Sequence, residues 1–84
     1  MKKFWLSFCD PKKEKGSQFL GVSIVDAVSF IQAVEIARFL GCNPGGEVQG
    51  FEIPSCFIIS KKWMGRLLTK LECEELEKEI GDKQ

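Results

Sequence analysis

Near Ser29 the spacing of apolar residues changes, and this change limits the folds open to the chain. Apolar and other residues alternate over residues 3–9 and again over residues 19–25, as they do in half-buried strands. From Ser29 to Gly41 apolar residues recur every three or four positions, as they do along one face of a helix. The sequence therefore predicts two strands followed by a helix.

The start and the end of this helix carry recognisable signals. Ser29 and Gln32 have the spacing of a capping box, in which the two side chains bond backbone N–H groups of the first turn. Gly41 supplies the left-handed residue that ends many helices. The predicted apolar face is formed by Ile31, Val34 with Ala33 beside it, Ala37 and Leu40.

The second half of the chain predicts further short elements. Residues 47–53 read as a third strand that Pro54 ends, and residues 56–59 as a short fourth strand. Ser60 and Thr69 are candidate N-caps, so the C-terminal third reads as one broken helix or two short ones. Its acidic second half has an apolar stripe, formed by Leu71, Leu76 and Ile80.

Together these elements predict an α+β fold in a single domain of 84 residues. We expect a small antiparallel or mixed sheet of three to four strands, in the order β-β-α-β-(β)-α, covered by helices as a two-layer sandwich. Trp5, Phe51 and Ile53 give the second sheet face large apolar groups. That face must be covered by the C-terminal helices or by another chain.

The composition argues against several function classes. Twelve Lys and Arg residues balance twelve Asp and Glu residues, so the chain lacks the strong positive charge of a duplex-binding protein. It has no His or Tyr, and its four cysteines form no Cys-x-x-Cys pair. We therefore expect no enzyme activity, no metal site, no cofactor and no duplex nucleic acid as a partner.

The N-terminal apolar run is too short for a signal peptide, and no run approaches the roughly 20 apolar residues of a membrane span. These observations favour a cytoplasmic protein with reduced thiols and no membrane partner. A chain this small buries a limited core, so a homodimer or a higher oligomer is a reasonable expectation.

Nine residues are candidates for ligand or partner binding. Glycines in the 43–47 loop allow close backbone approach to a ligand, lysines in the 12–18 loop offer positive charge, and a tryptophan beside an arginine offers a stacking surface. The residues are Lys12, Lys13, Lys15, Asn43, Gly45, Gly46, Glu47, Trp63 and Arg66. Each group has a structural alternative, namely a helix stop with a turn, a solvated hairpin tip, and a packed or snorkelling helix face.

Four segments within residues 4–54 resemble a group of short bacterial and phage proteins that has no established activity. The segments are WLSFCD (5–10), FLGV (19–22), LGCNPGGEV (40–48) and FEIP (51–54). The resemblance implies a small α+β domain in a phage or bacterial cytoplasmic setting, and it carries no functional residue over to this chain.

Two functions remain open at this point. The first is a non-enzymatic binding protein of phage or bacterial type that counters host defence by binding a host protein. The second is a module that sequesters a nucleotide-like signal through the 12–18 and 43–47 loops. A flat apolar patch would favour the first function, and a pocket with convergent hydrogen-bond donors would favour the second.

Overall fold

The structure is a computed structural model that describes residues 1–82. It confirms the predicted α+β class, with a four-stranded sheet and two α-helices. The elements are β1 (Lys2–Cys9), β2 (Phe19–Ala27), α1 (Phe30–Phe39), β3 (Glu47–Ile53), a short 3₁₀ helix (Lys61–Trp63), β4 (Leu67–Leu68) and α2 (Lys70–Asp82). Neither α-helix of the described residues has the length and apolar character that a bilayer crossing needs.

The sheet is fully antiparallel and has the strand order β3-β1-β2-β4. Trp5 of β1 lies opposite Ile24 of β2 on one side and opposite Phe51 of β3 on the other. Because side chains alternate along a strand, this register places these three residues on one face. Phe4, Leu6 and Phe8 lie on the opposite face.

Helix α1 begins and ends where the sequence predicts. The Ser29 hydroxyl accepts a hydrogen bond from the Gln32 N–H at 3.2 Å, and the Gln32 side chain accepts one from the Val28 N–H at 2.8 Å. Gly41 follows the helix with a φ of +79°, in the left-handed region that glycine adopts without a Cβ penalty.

The predicted apolar face of α1 is partly wrong. The helix buries Ala33 and Ala37, whereas Ile31 is 73% exposed and Leu40 is also exposed. Alanines let the helix backbone approach the sheet closely, so the small residues face the sheet and the larger Ile31 side chain lies outside the contact.

The two sheet faces carry separate cores. On one face Phe4, Leu6 and Phe8 pack with the alanines of α1. On the other face Val22 and Ile24 pack with residues of the 3₁₀ helix and α2, among them Trp63 and Leu76. The C-terminal helix therefore covers part of the second face, so the sheet lies between the two helices.

The C-terminal half differs from the prediction in two places. Residues 56–59 form no strand, and the fourth strand is the two-residue β4, which pairs with Val22 and Ser23 of β2. The stripe of α2 is formed by Cys73, Leu76 and Ile80, and Leu71 is exposed. Helix α2 follows β4 directly, with Thr69 between them. Its buried face carries Cys73 in place of the predicted Leu71.

Candidate functional site

The structure brings the two predicted ligand-binding loops to the same end of the sheet. Cys9, the last residue of β1, pairs with Phe19 of β2 and with Glu47 of β3. The 10–18 loop joins β1 to β2, and the 43–46 segment leads into β3. The two loops are therefore neighbours.

The glycine-rich loop has the geometry of a helix stop and turn. The Gly45 N–H donates to the Asn43 side-chain oxygen at 2.8 Å, so this donor is already occupied. At Gly46 the space for a side chain is filled by the backbone oxygen of Cys9 and by the Leu20 side chain. Gly46 therefore permits strand packing. Glu47 is exposed at the start of β3.

The lysine-bearing loop is held together by its own hydrogen bonds. The Asp10 N–H donates to the Gln18 carbonyl at 2.8 Å, and the Asp10 carboxylate accepts from the Lys12 N–H at 3.0 Å. The Gln18 side chain donates to the Lys13 carbonyl at 3.1 Å. Lys12, Lys13 and Lys15 are exposed at the hairpin tip, as the solvated alternative predicts.

Trp63 lies in the core, as the packed alternative for this residue predicts, and it does not offer the open stacking surface of the binding hypothesis. Only 3% of it is exposed, and its indole N–H donates to a Glu79 carboxylate oxygen at 3.1 Å. Lys62 and Arg66 do lie over the ring, with Lys62 Nζ at 4.8 Å and Arg66 Cζ at 5.7 Å from its centroid. The cations cover the ring from within the chain, so in this arrangement no base can stack on it.

Arg66 is occupied by contacts inside the chain. Its Nε donates to the Lys62 carbonyl at 2.7 Å, and its Nη1 lies 2.6 Å from the Glu72 carboxylate. Arg66 immediately precedes β4, which forms the opposite edge of the sheet from β3. It therefore lies away from the 43–47 loop, which leads into β3. The nine predicted residues therefore do not form one site.

A different surface has the shape of a binding site. An open cleft of about 970 Å³ lies between the second sheet face, the hairpin loop and the first half of α2. Its floor and walls mix apolar and polar side chains. The lining residues are Trp5, Ser7, Cys9, Gly16, Gln18, Phe19, Leu20, Val22, Thr69, Lys70, Cys73, Glu74 and Glu77.

A second, smaller groove of about 260 Å³ continues the cleft toward β3. It shares Trp5 and Glu77 with the cleft and is lined mainly by apolar side chains, Phe51 and Ile80 among them. The rings of Trp5 and Phe51 stack with centroids 6.1 Å apart and an interplanar angle of 17°. The combined surface, which we call the α2-side cleft, is therefore apolar at one end and mixed at the other.

The charged side chains that line the α2-side cleft are two glutamates and one lysine, a net charge of −1. Glu74 and Glu77 lie along its wall, and Lys70 is the one cation among its lining residues. Negative walls repel a phosphate and attract a lysine or arginine side chain. The cleft is therefore better suited to a cationic group than to an anionic one.

The thiol on the wall of the cleft is poorly suited to nucleophilic chemistry. Burial raises the pKa of Cys73, and the nearby carboxylates of Glu77, Glu72 and Glu74 raise it further. The thiolate is the nucleophilic form of cysteine, so a raised pKa keeps Cys73 protonated and inert near neutral pH. Among the described residues no group of His, Cys, Asp and Glu side chains is arranged to hold a metal ion.

The sequence alone does not identify the residues of the cleft as a group. The alternation of β1 does assign Trp5, Ser7 and Cys9 to one face, which is the floor of the cleft. The wall depends on where α2 lies across the sheet. Glu74 and Glu77 read only as a solvated helix face until that placement is known.

The chain matches no protein-family model, no curated protein and no solved structure.

Proposed function

We propose that the chain is a non-enzymatic binding protein that acts by holding a partner protein in the α2-side cleft. The partner would insert a segment that carries apolar and basic side chains. The resemblance to short phage and bacterial proteins fits a host protein and a nucleotide-like signal equally well, and the balanced charge of the chain favours a protein partner. That partner would be bound in the host cytoplasm to counter a defence.

The negative charge of the cleft is the observation that carries this proposal. The apolar end around Trp5 and Phe51 can bury an apolar side chain, and Glu74 and Glu77 can pair with a flanking lysine or arginine. A nucleotide would place its phosphates against the same carboxylates. The cleft is concave, the shape named above for the second function, but its charged lining consists of two glutamates and one lysine. Its charge therefore favours a protein segment over a nucleotide in this cleft.

The proposal is tested by comparing two charge reversals on α2. Glu74 lines the cleft, whereas the neighbouring Glu75 is exposed and does not line it. Tagged wild type, Glu74→Lys and Glu75→Lys are expressed in host cells and recovered from them, and the proteins bound to each are quantified. We expect one partner retained by wild type and Glu75→Lys and reduced at least tenfold by Glu74→Lys.

The salt dependence of the same capture separates electrostatic from non-specific retention. Screening weakens exposed charge pairs, so retention of the partner should fall between low and high salt for wild type. Circular dichroism shows whether Glu74→Lys remains folded. Equal retention by the two folded variants would contradict binding in the α2-side cleft.

Sequestration of a nucleotide-like molecule remains the second candidate, on one observation. The two loops share an end of the sheet, where exposed Lys12, Lys13 and Lys15 provide positive charge. Thermal unfolding with and without a nucleoside diphosphate tests it. A raised midpoint that is lost when the three lysines are replaced by alanine would favour sequestration over protein binding.

A further inference from the structure

Strand β3 has an outer edge that pairs with no other strand within residues 1–82. It forms one edge of the sheet and bonds to β1 alone, with a regular register over its seven residues. Protein edge strands are usually protected by charged side chains, lysine above all, or by proline, a bulge or short length. The β3 sequence, EVQGFEI, contains neither lysine nor proline, its pairing with β1 has no bulge, and its charged residues are Glu47 and Glu52.

We propose that two copies of the chain join through this edge, with β3 antiparallel to β3 of the second copy. Gly50 is the central residue of β3, so a two-fold axis through Gly50 pairs all seven residues. The result is one continuous sheet of eight strands. The other edge, β4, has only two residues and offers little backbone to pair.

The charges on β3 are compatible with this register. About a Gly50 axis, Glu47 lies opposite Ile53 of the second copy, and Glu52 lies opposite Val48. No glutamate faces another glutamate, and like charges opposite each other are what destabilise strand pairs. A shift by one residue in either direction would turn opposite faces of the two sheets to the same side, and in one of the two directions it would place Glu47 against Glu52.

Aromatic side chains flank the β3 edge on both faces of the sheet. Phe51 is 55% exposed on the α2 side, where it stacks on Trp5. On the α1 side the Phe30 ring lies against Gly50, where it occupies the space that a side chain would need. Pairing about Gly50 brings each of these rings toward the equivalent ring of the second copy. Apolar contacts therefore form on both faces of the sheet.

This arrangement also places the two α2-side clefts on the same face. A two-fold axis perpendicular to a sheet keeps the faces of both copies aligned, so both α2 helices lie on one side. The dimer would therefore present two clefts toward one partner or toward two adjacent copies of it. The proposal of a dimer rests on the unpaired edge of β3 and does not depend on the proposed function.

The mass of the purified chain in solution, measured by light scattering and sedimentation across protein concentration, tests the dimer. We expect a dimer for wild type and a dissociation constant at least tenfold higher for Phe51→Lys, which places lysines near each other across the axis. Phe39→Lys is the matched control, because Phe39 is 90% exposed at the far end of α1 from Phe30. It should leave the dimer unchanged.

Cross-linking tests the register. Gln49 lies opposite Phe51 of the second copy when Gly50 is central. In a Cys56→Ser background, which removes the exposed native thiol, Gln49→Cys mixed with Phe51→Cys should form a disulfide-linked pair under mild oxidation. Neither Phe39→Cys mixed with Gln49→Cys nor the background alone should do so.

Three results would overturn the proposal. One is a monomer at every concentration up to the millimolar range. A second is a dimer that folded Phe51→Lys leaves intact. The third is a dimer in which Gln49→Cys and Phe51→Cys do not cross-link. Circular dichroism of each variant distinguishes loss of the dimer from loss of the fold.

Discussion

Gly45 and Gly46 are adjacent in the turn before β3, but a side chain would meet different surroundings at each. Both have positive φ, +90° and +73°. The space beside Gly45 is open, whereas that beside Gly46 is filled by the Cys9 carbonyl. A comparison of the two therefore separates backbone strain from collision.

We expect Gly46→Ala to lower the free energy of unfolding by at least about 1 kcal/mol more than Gly45→Ala. Both variants place a Cβ on a left-handed residue, which costs about 1 kcal/mol or more, and only Gly46→Ala adds a collision with backbone. Urea unfolding measures both values. Equal losses would show that Gly46 is not packed against β1.

Trp63 shows why a residue pattern alone can misplace a side chain. Its neighbours Lys61, Lys62 and Arg66 are typical of an exposed binding surface, yet the indole is buried and its N–H is bonded to Glu79. The aliphatic stems of lysine and arginine can cover an aromatic ring while their charges stay in water. The sequence could not distinguish this arrangement from an open platform.

Replacing Trp63 by phenylalanine keeps most of the apolar contact and removes the indole N–H donor. We expect a loss of roughly 1–3 kcal/mol in the free energy of unfolding, because the bond to Glu79 is lost and the smaller ring leaves a gap. Phe39→Ala, at a 90% exposed position, is the control and should change stability by less than about 0.5 kcal/mol. Urea unfolding followed by circular dichroism gives both values. A Trp63→Phe variant as stable as wild type would contradict the buried placement.

At the scale of elements, Thr69 and Ser60 provide a matched pair of predicted N-caps. The Thr69 hydroxyl accepts from the Glu72 N–H at 3.2 Å, whereas Ser60 forms no side-chain cap bond to the 3₁₀ helix. We expect Thr69→Ala to destabilise the protein by about 1 kcal/mol and Ser60→Ala by less than about 0.5 kcal/mol. Thermal unfolding of the two variants tests the difference. A larger loss for Ser60→Ala would contradict this assignment.

The same cap predicts a pH dependence. The Thr69 N–H, which donates to the Glu72 carboxylate, and the Arg66 guanidinium beside it lower the pKa of Glu72 in the folded protein. A lowered folded-state pKa stabilises the fold fully above the ordinary pKa of the group, and the contribution disappears as pH falls through the lowered value. Acidification should therefore weaken wild type more than Glu72→Gln. Identical dependences of stability on pH over the acid range would contradict the role of Glu72.

Elements with a strong local pattern were predictable, and those that depend on distant contacts were not. The bounds of β3 and the cap of α1 follow from residues close in sequence, such as Ser29 and Gln32. The two-residue β4 carries no periodicity, and only its pairing with β2 makes it a strand. The incorrect fourth strand at 56–59 arose because a short apolar run does not distinguish a strand from a loop, and in the structure Ile59 of this loop is buried while Ile58 is exposed.

At the scale of the whole molecule, the position of α2 across the sheet creates the candidate site. The helix covers Val22 and Ile24 and leaves Ser7 and Cys9 of β1 at the floor of an open cleft. The sequence predicted that the second face needs a cover, supplied by the C-terminal helices or by another chain. In the structure the helix covers only part of that face, and the negative wall it adds is the basis for expecting a cationic partner.

Native mass spectrometry of the wild-type chain and of Glu74→Lys, both expressed in and recovered from host cells, is the most direct test of protein binding in the α2-side cleft. One spectrum reports the number of chains, any bound protein and any retained small molecule. We expect a bound protein on wild type that is lost from Glu74→Lys, with no added mass in the nucleotide range. A nucleotide mass retained equally by both, or the same bound protein on both, would contradict it.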